Sequence, residues 1–323
     1  MGCLPCGRYL HLAISLALSK LTKELKSDQA QALHRLMPPE GAAPKDRSEL
    51  LALYQQFLKV EEQRIRLAHH AGASGLEVAR RRAELIDVVL ENLYNQALEQ
   101  IGVTDDKAPL AIVATGGYGR RLLNPASDVD VHFIHAARHA PSTEEREIIE
   151  QILYMLWDVG FKVGHAVRSV KETLNQANQD MRTKSSLIEA RLVCGDTALF
   201  ERLTNEFQRH CIEGYKKEYL AMRRSDMRER RNKFQTIYVQ EPQVKNGCGG
   251  LRDYHNLIWI TYVHFGSTDI GELVKNKILT KKEIDEIEET YEFLHRVRNE
   301  LHYQAGREND ILTLHLQGVV ATN

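Results

Sequence analysis

Apolar residues recur along this chain with two different periods, and the switch between them marks its central stretch. Leu50, Leu51, Tyr54, Leu58 and Ile65 keep helical spacing, with Ser48 placed as a cap. HHAGAS (69–74) reads as a surface turn carrying His69 and His70. A second long helix is predicted from Leu76 to Gln100, with Leu85, Val88, Val89, Leu93 and Ala97 on one stripe. The period then shortens. Leu110 to Ala114 is an unbroken apolar run of strand length. Gly116 and Gly117 follow, then a polar turn through Asn124 and Pro125, then an alternating run from Val129 to Ile134. Side chains alternate faces along a strand, so Val129, Val131 and Phe133 share a core face. Asp128, Asp130 and His132 share the other.

The same reading covers the rest of the chain. A helix is predicted from Leu10 to Leu36, closed by Pro38 and Pro39, with GAAPKD (41–46) as a linker. Past the central stretch come a helix from Thr143 through Trp157 and a short strand between glycines (159–170). Short helices are expected at Lys171 to Asn178 and Ser185 to Val193, and a helical pattern runs from Leu199 to Val239. A helix opened by Asp253 continues through Tyr262, a short one covers Gly271 to Asn276, and a Thr280–Glu283 capping box starts a helix through Leu301. Strand, turn, strand, helix, strand predicts an α+β unit, a small mixed sheet with helices on one side, followed by a mostly helical unit.

Two carboxylates side by side at a strand start repel each other unless a cation lies between them. Asp128 and Asp130 therefore point to a divalent metal. Mg²⁺ fits, because it takes one or two carboxylates and completes its shell with substrate phosphate oxygens. Gly116 and Gly117 fit the same chemistry, since backbone without side chains lets N–H groups approach a phosphate. Three glycines in 247–250, flanked by Lys245 and Arg252, form a second positively charged loop able to face an anion. The basic run RRSDMRERRNKF (223–234) is interleaved with Asp226 and Glu229, which favours a solvated helix face or one turned to nucleotide phosphate.

Composition narrows the partners. A formal net charge of −1 provides no global basic field, so nucleic acid is disfavoured. The five cysteines are scattered and odd in number, which points to a reducing compartment, the cytoplasm. Cys3 and Cys6 form a lone CxxC without nearby His, read as incidental. No apolar stretch has membrane-spanning length, and no membrane role is expected.

Five blocks occur in a fixed order: GGYGRRLLNPASDVD (116–130), LWDVGFKVGHAVRS (156–169), SLIEARLVCGD (186–196), EPQVKNGCGGLRDYHNLIWI (241–260) and LHYQAGREND (301–310). The first resembles the nucleotidyltransferase signature of the DNA polymerase beta superfamily. Together, over about residues 50 to 320, they resemble the N-terminal part of bacterial PII uridylyltransferase/uridylyl-removing enzymes, KNGCGGLRD being the more specific match. The resemblance implies a nucleotidyltransferase-type sheet and transfer of UMP from UTP to a tyrosine of the signal protein PII, with release of pyrophosphate. It implies that Gly116 and Gly117 cradle the triphosphate, that Asp128 and Asp130 hold Mg²⁺, and that Arg120 and Ser127 contact phosphate. It divides the chain into a leading helix and linker (1–46), a nucleotidyltransferase domain with its helical pair (47–198) and a helical extension (199–323). Nothing resembles the family's HD or ACT domains, and the apolar ending reads as a truncation ahead of them.

The strand at 162–168 lacks the third carboxylate that many members of the superfamily carry. It offers His165 instead, with Glu189 as a candidate from a helix. Competing readings are another acceptor, such as RNA ends or a small molecule, and a non-catalytic module that keeps the fold. Arg296 and His302 also stand at a spacing seen in HEPN ribonucleases.

Overall fold

The computed structural model describes residues 26–34, 46–103, 110–137, 140–234, 236 and 238–322. Of the helix expected from Leu10 to Leu36, residues 26–34 are helical; the remainder, with Cys3, Cys6 and nearly all of the 41–46 linker, lies outside the described residues. Two long helices come first, α1 (Arg47–His70) and α2 (Gly75–Ile101). The sheet region follows as β1 (Leu110–Ala114), α3 (Gly116–Gly119), β2 (Val129–His135), α4 (Thr143–Asp158), β3 (Val163–Ser169), α5 (Val170–Gln179), α6 (Met181–Ile188), β4 (Arg191–Gly195) and α7 (Thr197–Phe207). A π-helical turn (Gln208–Ile212) leads to α8 (Lys216–Phe234), and α9 (Leu251–Phe265), α10 (Gly271–Lys275), α11 (Lys281–Ala305) and α12 (Leu314–Thr322) finish the order.

The four strands form one mixed sheet in the order β3-β2-β1-β4. β1 pairs antiparallel with both β2 and β4, and β2 pairs parallel with β3. An α+β architecture with a helical portion is thus what the chain adopts. The expectation of helices on one side is corrected, because both faces are covered. Leu110, Ile112, Val129, Val131 and Phe133 pack with α1, α2 and α4 in one core. Ala111, Val113 and Ile134 pack with α5, α6, α7 and α9 in a second. β1 is apolar at every position because it is central and buried on both faces.

Further corrections concern elements too short for periodicity to assign. The helix expected over Ser185 to Val193 is the end of α6 followed by strand β4, whose Arg191–Gly195 run pairs with β1. A short apolar run looks alike in a strand and in a buried helix. The long pattern from Leu199 to Val239 is three pieces, broken at the π-helical turn and at Gly214 (φ +84°) and ending at Phe234. Asp46 caps α1 in place of Ser48, and Ser142 caps α4 in a full capping box with Glu145. α9 starts at Leu251, so Asp253 lies in its first turn instead of at its cap. His69 is no surface residue: it is buried and forms a hydrogen bond with Glu300 of α11 at 2.9 Å.

Candidate active site

β2 carries the chemistry because its pattern splits by face. Val129, Val131 and Phe133 are buried in the first core, and Asp130 projects from the other face. On that face the helices cover β1 and Ile134 but leave the start of β2 open, and there a cavity of about 560 Å³ begins. The eight residues expected to meet metal or phosphate line it: Gly116, Gly117, Arg120, Ser127, Asp128, Asp130, Lys245 and Arg252; His165, the candidate in place of a third carboxylate, does not. His132, on the same strand face, is not among the lining residues. Burial, and then Arg168, lower its pKa to about 4, so it is neutral at pH 7.

The Asp130 carboxylate is held in a slot made of glycine. Gly164 stands opposite it in the parallel β2–β3 register, and a Cβ there would overlap Asp130 Oδ1. Gly116, at φ +58°, would put a Cβ 3.3 Å from Asp130 Oδ2. A side chain at position 164 would displace the Asp130 carboxylate from where it stands. Sequence reading registered Gly164 only as a strand boundary. Burial, and then the neighbouring Asp128, raise the Asp130 pKa to about 6. Among the described residues neither aspartate has an ion pair. Two crowded carboxylates with no direct ion pair, although Lys245 and Arg120 act on Asp130 from nearby, form a donor set for a hard divalent cation. Among the described residues no cluster of three or more His, Cys, Asp or Glu side chains could hold a metal, so an ion bound here would depend on further oxygens.

Buried side chains fix the Gly116–Gly119 turn from behind. Tyr118 donates to Asp87 Oδ1 at 2.7 Å, and Arg191 of β4 donates to both Asp87 oxygens at 3.0 and 2.8 Å. Gly119 has to lack a side chain, since a Cβ would overlap the Glu189 carbonyl. The Glu189 carboxylate accepts from Arg120 at 2.5 Å and from the Trp259 indole N–H at 2.6 Å. Burial raises its pKa, against the pull of Arg120. Glu189 therefore lines the cavity but is engaged by two donors, and it is not a free third acid.

The loop between α3 and β2 is clamped by α11. Asn124 donates to Asn299 at 2.6 Å and receives Arg298, and the Ala126 N–H donates to His302 Nδ1 at 3.1 Å. His302, raised above as a ribonuclease-type residue, is thus buried and occupied in holding the aspartate loop. Arg298 also pairs with Asp310 and Glu308, and Glu308 pairs with Lys245 at 2.8 Å. The 241–252 loop lies against this group through the Gln243–Ile311 bridge.

Cations dominate the cavity wall. Eight Arg and Lys side chains and five carboxylates line it. The basic run of α8 turns inward, with Arg223, Arg230 and Lys233 lining the cavity beside Arg182 of α6. Burial, and then Arg120, lower the Arg252 pKa to about 10. Its guanidinium lies over Trp259 and has no ion pair among the described residues. Ser127 Oγ is likewise buried without a partner. An unpaired Arg252 guanidinium among other cations, beside the orphaned Ser127 hydroxyl, suits an anion.

The family model described as GlnD PII-uridylyltransferase matches residues 218–323, and that described as glutamate-ammonia ligase adenylyltransferase matches residues 13–158. A bifunctional uridylyltransferase/uridylyl-removing enzyme of Bradyrhizobium sp. (strain ORS 278) is 36% identical over 274 residues, 82% of this chain and 29% of the relative. The same-named protein of Azospirillum brasilense is 34% identical over 292 residues, 89% of this chain and 31% of the relative. That of Nitrobacter winogradskyi is 38% identical over 220 residues, 68% of this chain and 24% of the relative. The chain spans about three tenths of the length of the first two relatives. Over most of its own length, this chain is similar, at 34–36% identity, to part of bifunctional uridylyltransferase/uridylyl-removing enzymes.

Proposed function

We propose that the chain is a Mg²⁺-dependent nucleotidyltransferase that moves UMP from UTP to a tyrosine of a PII signal protein and releases pyrophosphate. The observation that carries this is the meeting of Asp128, Asp130 and the Gly116–Gly117 turn in one cation-rich cavity. Asp128 and Asp130 would hold the metal, which would supply charge neutralisation to the triphosphate. The first N–H groups of the Gly116–Gly119 turn have no partner within it and face the phosphates. Arg120, oriented by Glu189, and Arg252 neutralise phosphate oxygens, while Ser127 and Lys245 complete the cradle. This chemistry belongs in the cytoplasm. Among the described residues no helix is long and apolar enough to cross a membrane.

The test is intact-mass spectrometry of a PII protein incubated with the chain, Mg²⁺ and each of the four nucleoside triphosphates in turn. A gain of one UMP, with UTP alone, is the expected result. The adenylyltransferase match over residues 13–158 favours AMP transfer as the second reading. A gain of AMP with ATP would replace the first with it. Nucleotide binding without any gain would point to another acceptor.

A further inference from the structure

The wall supplied by α8 carries an ordered row of donors and an acceptor. Arg223, Asp226 and Arg230 are spaced i, i+3 and i+7, on one helix face, and all three line the cavity. Arg223 is buried, lies 4.8 Å over the Trp259 ring and pairs with Asp226 Oδ2 at 2.5 Å. Arg230 is held from behind by the Asn246 carbonyl, at 3.1 Å, and by Asp253. A guanidinium has five N–H donors, so these contacts leave donors on both arginines. Asp226 Oδ1 accepts no hydrogen bond from the described residues. The face therefore reads donor, acceptor, donor.

Among the four bases, only uracil presents the complement. Its pairing edge is O4, N3–H and O2, that is acceptor, donor, acceptor. Cytosine and adenine place an acceptor at the central position, and guanine flanks its N1–H with an amino group. With phosphates on the Gly116–Gly117 turn, α8 supplies one wall for the base, and Phe234 on the same helix also lines the cavity. We propose that Arg223, Asp226 and Arg230 read the uracil edge, Asp226 accepting the N3–H. This rests on the nucleotidyltransferase reading above and adds the residues that choose the nucleotide.

The test is calorimetric titration of the full chain with UTP, CTP and N3-methyl-UTP in Mg²⁺, for wild type and Asp226→Ala. The wild type should bind UTP about tenfold or more tightly than CTP and N3-methyl-UTP, the size of one hydrogen bond to a charged group. Asp226→Ala should lose that advantage, with the three nucleotides converging. N3-methyl-UTP needs no variant, so the outcome does not depend on how the substitution folds. Equal wild-type binding of UTP and N3-methyl-UTP would overturn the assignment, as would an Asp226→Ala chain that keeps the wild-type UTP:CTP ratio. A wild type that binds no triphosphate at all would overturn the nucleotide reading along with it.

Discussion

The two ends of the cavity treat their carboxylates in opposite ways. At the sheet end Asp128 and Asp130 stand together with no ion pair among the described residues, and burial pushes the Asp130 pKa up to about 6. At the helical end Glu189 is nearly fully buried, yet each of its oxygens has a donor, Arg120 on one and Trp259 on the other. The first pair is electrostatically incomplete and the second is complete. An incomplete site is a poor way to stabilise a fold and a good way to bind a cation. A complete one locks the turn that carries Arg120 to the helix that carries Trp259.

Substitutions at the two ends should separate activity from stability. The largest effect is expected for Asp128→Asn with Asp130→Asn. Transfer should fall by about 10³-fold or more, because the charge that holds the metal is gone. The melting temperature should stay level or rise as the repulsion disappears. A marked loss of thermal stability would instead identify these residues as structural.

Glu189→Ala should do the reverse. It leaves a buried guanidinium without its carboxylate and an indole N–H without an acceptor, at a cost of about 3 kcal/mol measured by urea unfolding. Glu189→Gln, which keeps an acceptor for Trp259, should recover part of that loss. Unfolding midpoints that match the wild type in both variants would show that the joint is not what holds the turn.

Gly164→Ala is the intermediate case. Its Cβ overlaps Asp130 Oδ1, so the carboxylate has to move, with about 1–2 kcal/mol of strain and about tenfold weaker Mg²⁺-dependent nucleotide binding. Binding by calorimetry that is unaltered would mean that Gly164 does not set the position of the Asp130 carboxylate.

The smallest effect is the pH dependence of the metal-free chain. Asp130 has a higher pKa folded, about 6, than its ordinary 3.8, so the folded state binds the proton more tightly. Stability should therefore decline as pH rises from about 4 to about 6, by on the order of 1 kcal/mol because the cavity is open to solvent screening. Mg²⁺ with UTP should flatten that slope and add stability by linkage. A flat metal-free profile would remove the electrostatic contrast between the two ends.

Local pattern carried the sheet end. The apolar run of β1, the alternation of β2 and the Gly-Gly and Asp-x-Asp elements lie within 110–134, where side chains three or four residues apart decide what they do. The helical end was legible only in part. Lys245 and Arg252 stood out as charged flanks of a glycine loop, and the α8 basic run was noticed without a direction. Strand β4 was read as helix because five residues contain too little periodicity to separate the two. His69 and Glu300 are too far apart in sequence for either to hint at the other.

Residue type and period over short distances are enough to locate the charged residues, the glycine turn and the alternating strand. Only the tertiary structure decided which charges are left unneutralised. Arg120 and Glu189, Lys245 and Glu308, and Asn124 and Asn299 meet across long stretches of chain. The physical reason is that desolvation and ion pairing depend on distance in space. A carboxylate becomes a ligand or a brace according to the donors that folding brings to it.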